Sequence, residues 1–330
     1  MTAASAQDLF RIVRKGIDVK SVHAHGRKPF RFLLCGDPAA VAEFRTLLLS
    51  GHQDEAIPLD AAACLETVVP GTPLITEPSE VRAVVFLGRP GDLAASNLTS
   101  LSVLRVPMLA VTVDPEATPA APANPPAPGT FAEYVVPAIA RESMRGRVFP
   151  HLVESAHGVE IAVGRRLPPL RETVAAKLTR DAAKNALRVS LASAVVDQLP
   201  VVGVVLGAFA TAGDMVAITG IQTMLMLHIE AAYGRDPDVQ RLWRLLPVIG
   251  GGFGWRTLAR ELIGLIPVAG IAIKGAIAYA GTIVVGEGVT FFLENGHSMS
   301  AGQATRIYER TKTEAMRISR EFLAKLRKKS

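Results

Sequence analysis

Aromatic residues make up only 5% of the 330-residue chain, so there are few rings on which bases could stack, and no nucleic-acid partner is expected. Cysteine is nearly absent. Cys35 closes an apolar run that reads as a buried strand, and with Cys64 as the only other thiol a disulfide framework is not expected; a reducing compartment fits. No signal segment is evident. The first apolar residues sit among Arg11, Arg14 and Lys15, so the N-terminal half is expected to stay in the cytoplasm. There is no nucleophile elbow, HExxH or CxxC, so no catalytic residue, cofactor or metal is expected. His23 and His25 lie in a basic stretch without carboxylates and read as solvated. His151 and His157, six residues apart, read as surface residues.

Apolar residues are plentiful instead, at 49% of the chain with a mean hydropathy of +0.29. The first 198 residues are of ordinary mixture, whereas Leu199–Leu293 is poor in charge and rich in Gly, Ala, Val and Ile. The formal net charge is +6, and the surplus collects between Arg165 and Arg188 and in the last thirty residues. That placement suits a basic flank facing an anionic membrane.

Residues 1–29 read as a basic tail or short helix. Phe30–Gly36, Arg82–Gly88 and Val106–Val113 are continuous apolar runs, separated by helical patterns at Val41–Leu49 and Asp92–Val103. Continuous rather than alternating apolar strands, interleaved with helices, indicate a parallel sheet covered on both faces. Pro115–Gly129 is rich in proline and predicts an extended loop. Phe131–Pro137 reads as a last strand, with a helix to about Ala156.

From Leu167 the pattern is an amphipathic basic helix, on which Leu170, Val174, Leu178, Leu191 and Val195 recur at helical spacing. Two apolar segments follow. In Leu199–Leu227 the only charge is Asp214, and in Leu262–Gly286 it is Lys274. Leu199–Gly203, Leu246–Gly250 and Ile266–Gly270 share one Pro-containing pattern that suits a helix start. Gly203 with Gly207, and Ala272, Ala276 and Ala280, set small residues four apart, as close-packed membrane helices require. Gly250–Trp255 reads as a flexible or re-entrant connection, with Trp243 and Trp255 suited to interface anchoring or to packing. Ser300–Lys329 is a basic helix with Ala304, Tyr308, Thr311, Ala315, Ile318, Phe322 and Leu326 on one stripe. That stripe serves either docking on neighbours or a membrane surface.

Each apolar segment is long enough for the ~20 residues that cross a bilayer, yet each carries a mid-span charge costing about 2.5–3.5 kcal/mol. As a hairpin, Asp214 and Lys274 would differ in height by roughly 12 Å at 1.5 Å per residue. The favoured arrangement is therefore a polar seam in a helical bundle, with Asp214 bonding neighbours such as Thr211 and Gln222. Basic flanks at both ends place both termini on the cytoplasmic side.

Several ordered segments carry a resemblance: Arg165–Arg171, Asn185–Ala186, Asp214–Gln222, Tyr233–Gly234 and Ala278–Thr282. Together they resemble the GTPase-associated domain of unknown function, family 697, which often accompanies Era-like GTPase domains and is regarded as a helical membrane or membrane-associated module. The resemblance directs attention to Asp214, Gln222, Asn185 and Tyr279, and implies a cytoplasmic-membrane location, while Lys274 stands out as the lone charge of its apolar segment. It also implies an Era-like domain upstream. Such a domain needs GxxxxGK[ST] after its first strand. Here Gly36–Phe44 lacks the lysine and the hydroxyl, and Pro38 removes an N–H. Arg89–Asp92 lacks the DxxG order, and Val111–Asp114 keeps only the aspartate of NKxD.

The expected plan is a basic tail (1–29), a degenerate P-loop or Rossmann-like α/β domain (30–157), an all-α hydrophobic module (164–293) and a basic amphipathic helix (298–330). The expected function is non-enzymatic, a membrane module coupled to a pseudo-GTPase-like domain in a regulatory or scaffolding role. The alternative is a soluble or peripheral regulator of a separate GTPase. Expected partners are the lipid bilayer, a GTPase or other protein, and a second copy of the chain.

Overall fold

The computed structural model describes residues 18–52, 57–70, 72, 77–96, 98–196, 206–238 and 270–327. The chain divides into two compact units, an α/β unit of His23–Lys177 with Ala231–Arg235, and a helical unit of Leu178–Glu230 with Asp236–Ser330 and Met1–Val22.

The N-terminal elements run α1 (Val19–Arg27), β1 (Arg31–Gly36), α2 (Pro38–Leu48), α3 (Leu59–Ala62), β2 (Leu65–Thr67), β3 (Val81–Gly88), α4 (Asp92–Ala95), β4 (Met108–Val113) and β5 (Phe131–Val136). Then come α5 (Arg141–Arg145), α6 (Val148–Ser155) and α7 (Glu160–Arg166). The five strands form one sheet in the order β2-β1-β3-β4-β5, and every neighbouring pair is parallel. Parallel strands are covered on both faces, which is why β1, β3 and β4 lack alternation. Leu33, Cys35, Val84, Phe86, Met108 and Ala110 point to one face, packed by Leu98, Leu101 and Leu93. Phe32, Leu34, Val85, Leu87, Leu109 and Val111 are also buried. Each buried Leu, Val or Phe contributes about 1.5–3 kcal/mol relative to exposure. The single helix expected over Asp92–Val103 is instead α4 followed by a 3₁₀ stretch over Leu98–Leu104.

The later elements are α8 (Arg171–Val196), α9 (Leu206–Ala232), α10 (Gly270–Asn295) and α11 (Ala301–Arg327). Within the helical unit, Ala183, Leu187 and Leu191 of α8 cluster with Ala276, Tyr279 and Ile283 of α10 and Ala315 of α11. Direction follows from the closest approaches. A Cβ on Gly286 would strike Thr179, and one on Gly275 would lie 2.7 Å from Leu191 Cδ2. Numbers that rise along α8 while falling along α10 mean antiparallel packing. Gly275 also faces Ser319, while Glu287 pairs with Arg310, so α11 runs antiparallel to α10 as well. These glycines, eleven residues apart, recur on one α10 face after about three turns.

The α11 stripe docks on its neighbours. Tyr308, Thr311 and Ala315 are buried and Ile318 and Phe322 half-buried, but Ser319 and Ile307 belong to the covered face too. Ala276 and Ala280 of the small-residue ladder are buried. Gly203, Trp243 and Gly250–Trp255 lie outside the described residues, as do the surroundings of Gly207 and the side chain of Ala272.

Candidate functional site

In open α/β sheets ligands bind outside the carboxyl ends of the strands, where the strand order reverses. Here that place lies between β1 and β3. Each of three strands ending there leads into an aspartate. After β1, Gly36 has φ +116°, and a Cβ there would run into the Leu87 carbonyl, so only glycine fits. The next residue, Asp37, donates its N–H to Leu87 O at 2.8 Å, and α2 begins at once with Pro38. A single residue therefore connects strand to helix. The Asp37 carboxylate caps α2, accepting from Ala40 N–H at 2.9 Å.

After β3, Asp92 Oδ2 accepts from Arg89 N–H at 2.7 Å across the Pro90–Gly91 turn, and Gly91 has φ +94°. After β4, Asp114 Oδ1 accepts from Glu116 N–H at 3.0 Å and Ala117 N–H at 3.3 Å. Amide groups of this kind, at helix starts and turns, are what phosphates use. At this edge they are engaged by the chain's own carboxylates.

Both thiols of the α/β unit are free and buried. Burial pushes Cys35 up to about 12 and Cys64 up to about 11.

One charged cluster among the described residues was not legible from sequence. Lys177, only 6% exposed, lies with Nζ 3.3 Å from Glu154 Oε2 and 3.6 Å from Glu160 Oε1, and His157 Nδ1 is 3.6 Å from Glu160 Oε1. In sequence Lys177 is one of seven basic residues between Arg165 and Arg188, in a stretch that reads as an amphipathic basic helix. His151, expected at the surface, is half-buried, and the buried Tyr134 hydroxyl lies 2.6 Å from its Nδ1. Burial holds the His151 imidazole below its ordinary 6.5.

The segments behind the resemblance meet in two places. In the α/β unit, the Arg171 guanidinium sits 5.9 Å from the centroid of the Tyr233 ring and donates from Nε to Gly164 O at 3.2 Å. A Cβ on Gly234 would lie 3.4 Å from Arg171 Nη2, so the Tyr233–Gly234 turn fits the guanidinium closely. In the helical unit, Gln222 Nε2 donates to Thr282 Oγ1 at 3.3 Å, and that hydroxyl donates to Ala278 O at 2.8 Å. One polar contact therefore joins α9 to α10, through Gln222 and Thr282, while the Asp214 side chain expected to share it lies outside the described residues.

The other expected residues disperse. Tyr279 is buried among α8 and α11 side chains. Asn185 is exposed and accepts from Arg188 Nη1 at 3.3 Å. Lys274 is half-buried near the start of α10, and Asp214 belongs to α9 with its side chain outside the described residues. Whether these two charges pair is therefore also outside them.

One described helix, Lys274–Asn295, is long and apolar enough to cross a membrane, and 56% of its most apolar window is buried inside the protein. Among the described residues no group of three or more His, Cys, Asp or Glu could hold a metal.

No family model matches the chain. No curated protein and no solved structure matches it either.

Proposed function

We propose that this chain is a non-enzymatic, membrane-associated adaptor in which a nucleotide-free G-domain-like unit and a helical unit together serve a regulatory or scaffolding role. The observation that carries this reading is the one-residue turn from β1 to α2. A phosphate cradle needs a loop with several free N–H groups, and here Pro38 offers none while Asp37 already sits as the anion at the helix start. The engaged carboxylates of Asp92 and Asp114 support the same reading at the next two strands. Titration of the full chain with GTP and Mg²⁺ in a calorimeter tests it. No heat of binding is expected, and micromolar affinity would sink the reading.

Membrane attachment is supported by the +6 net charge gathered around Arg165–Arg188 and the C-terminus, with both termini cytoplasmic. The geometry favours attachment over spanning by α10. Glu287 pairs with Arg310 at 3.1 Å near the middle of the apolar stretch, and α8 and α11 bring further charges alongside. A charge at bilayer centre costs about 2.5–3.5 kcal/mol each. Carbonate washing of membranes separates the cases. Release of the intact chain is expected, and retention would assign it an integral helix.

A second reading, regulation of a separate GTPase by direct assembly, rests on the resemblance of segments Arg165–Thr282. Co-purification with a GTPase encoded beside it would favour this reading, and vesicle flotation without that partner would favour the first.

A further inference from the structure

Pro119, Pro122, Pro125 and Pro128 recur at every third residue between β4 and β5. A polyproline II helix has 3 residues per turn, so prolines at this spacing share one edge. The connection is pinned along its length. Asp114 accepts two amides at its start, and Ala120 exchanges both backbone bonds with Val135 of β5, at 2.9 and 2.8 Å. Pro126 is buried. Gly129 N–H donates to Val106 O at 3.0 Å, and Thr130 N–H donates to Ala127 O at 3.0 Å.

A bend at Ala123–Asn124 divides the repeat into two PxxP steps, Thr118–Pro122 and Asn124–Pro128. In the second step Pro126 is buried, whereas Pro125 and Pro128, three residues apart, are exposed. In the first, Ala120 is tied to the sheet edge and Pro122 is half-buried. The second step is therefore the better presented. Two exposed apolar side chains flank it in the fold. Phe131 is 49% exposed and Val103 80% exposed, and the turn carrying Val103 abuts Gly129, whose Cβ would lie 3.6 Å from Ser102 O. Charge marks the same stretch. From Asp114 to Ala140 there are three acidic residues, Asp114, Glu116 and Glu133, and no Lys or Arg, in a chain of net +6.

We infer that Asn124–Pro128 is a docking ligand for a partner protein that reads polyproline II through an aromatic-lined groove with a neutral or basic rim. A plain spacer would need neither the buried Pro126 nor the Ala120–Val135 pairing. A strap fixed before binding loses less conformational freedom when it docks, which raises affinity. The acidic flanks disfavour grooves whose rim is built to read arginine.

The test titrates the full chain into purified SH3 and WW domains with neutral, basic and acidic rims. At least one neutral- or basic-rim domain is expected to bind with Kd about 1–100 μM, in the range where a small interface sits. Pro125→Ala with Pro128→Ala should weaken that binding at least tenfold while the chain stays folded, the unfolding midpoint falling only by the freedom that the unfolded chain gains. Pro119→Ala with Pro122→Ala should leave it within twofold. Should the double variant unfold, the single Pro128→Ala is read in its place. No binding below about 1 mM overturns the inference, as does binding that survives the double variant or is confined to acidic-rim domains. Loss of binding with Phe131→Thr but not with the proline variants would also overturn it, assigning the contact to the β5 edge.

Discussion

Thr179 of α8 lies directly against Gly286 of α10, where any side chain on the glycine would occupy the space of the threonine. The Thr179 hydroxyl is buried without a hydrogen-bond partner among the described residues. Close approach, not polarity, holds this threonine in place. Gly286→Val should therefore destabilise the chain by about 1–3 kcal/mol through overpacking, despite the better helix propensity of valine. Thr179→Ala in the same background should recover at least half. Urea unfolding of the four members of the cycle checks this, and simple additivity of the two changes would rule out the contact.

Asp37 offers a comparison by charge and shape. Asp37→Ala removes the α2 cap and should cost about 0.5–2 kcal/mol, whereas Asp37→Asn keeps an acceptor and should stay within a few tenths. Equal losses for the two variants in denaturant titrations would mean that the carboxylate charge, rather than the cap, is what matters.

The raised pKa values of Cys35, about 12, and Cys64, about 11, leave very little thiolate at pH 8, on the order of one in ten thousand and one in a thousand. Labelling of the native chain by a disulfide reagent should be at least about 100-fold slower than in denaturant, since the thiolate is the reacting form. Stoichiometric labelling within hand-mixing time would contradict the burial.

His151 has a folded pKa held below its ordinary 6.5 by burial, with Glu154 opposing. As pH falls, the unfolded chain takes up this proton before the folded one does. Stability is thus fully present above the unfolded pKa and declines as pH drops through and below about 6.5. His151→Gln should flatten the decline in unfolding midpoint between pH 7.5 and 5.5. An unchanged slope would place the titration elsewhere, with His52, also lowered by burial, as the next group to replace.

Much of this fold is legible from local pattern. β1, β3 and β4 announce themselves because a strand buried on both faces must be apolar throughout, and α8 and α11 because one covered face repeats at helical spacing. β2 escapes notice for the opposite reason: Leu65–Thr67 is three residues long and contains Glu66. The broken helix after Asp92 turns on tertiary packing of Leu98 and Leu101 against the sheet, which no local signal announces. At the candidate site, Pro38 and the missing lysine are visible in the letters. The capping by Asp37, Asp92 and Asp114 needs backbone geometry. Gln222 was noted as a polar neighbour for Asp214, but its described partner, Thr282, lies 60 residues away. Lys177 does not stand out among its basic neighbours, because helical periodicity alone does not tell a basic residue facing water from one facing two carboxylates.

The single-residue junction between β1 and α2 bears on time. A domain that counts by hydrolysis needs slack beside its first strand, so that segments can close on one form of a ligand and relax on another. Between Gly36 and Pro38 the chain has no slack to give: lengthening the turn would unwind the helix or pull a strand out of register. On the proposed reading, a domain built this way keeps no clock of its own, and a change in its state comes from a neighbour and lasts as long as that neighbour stays.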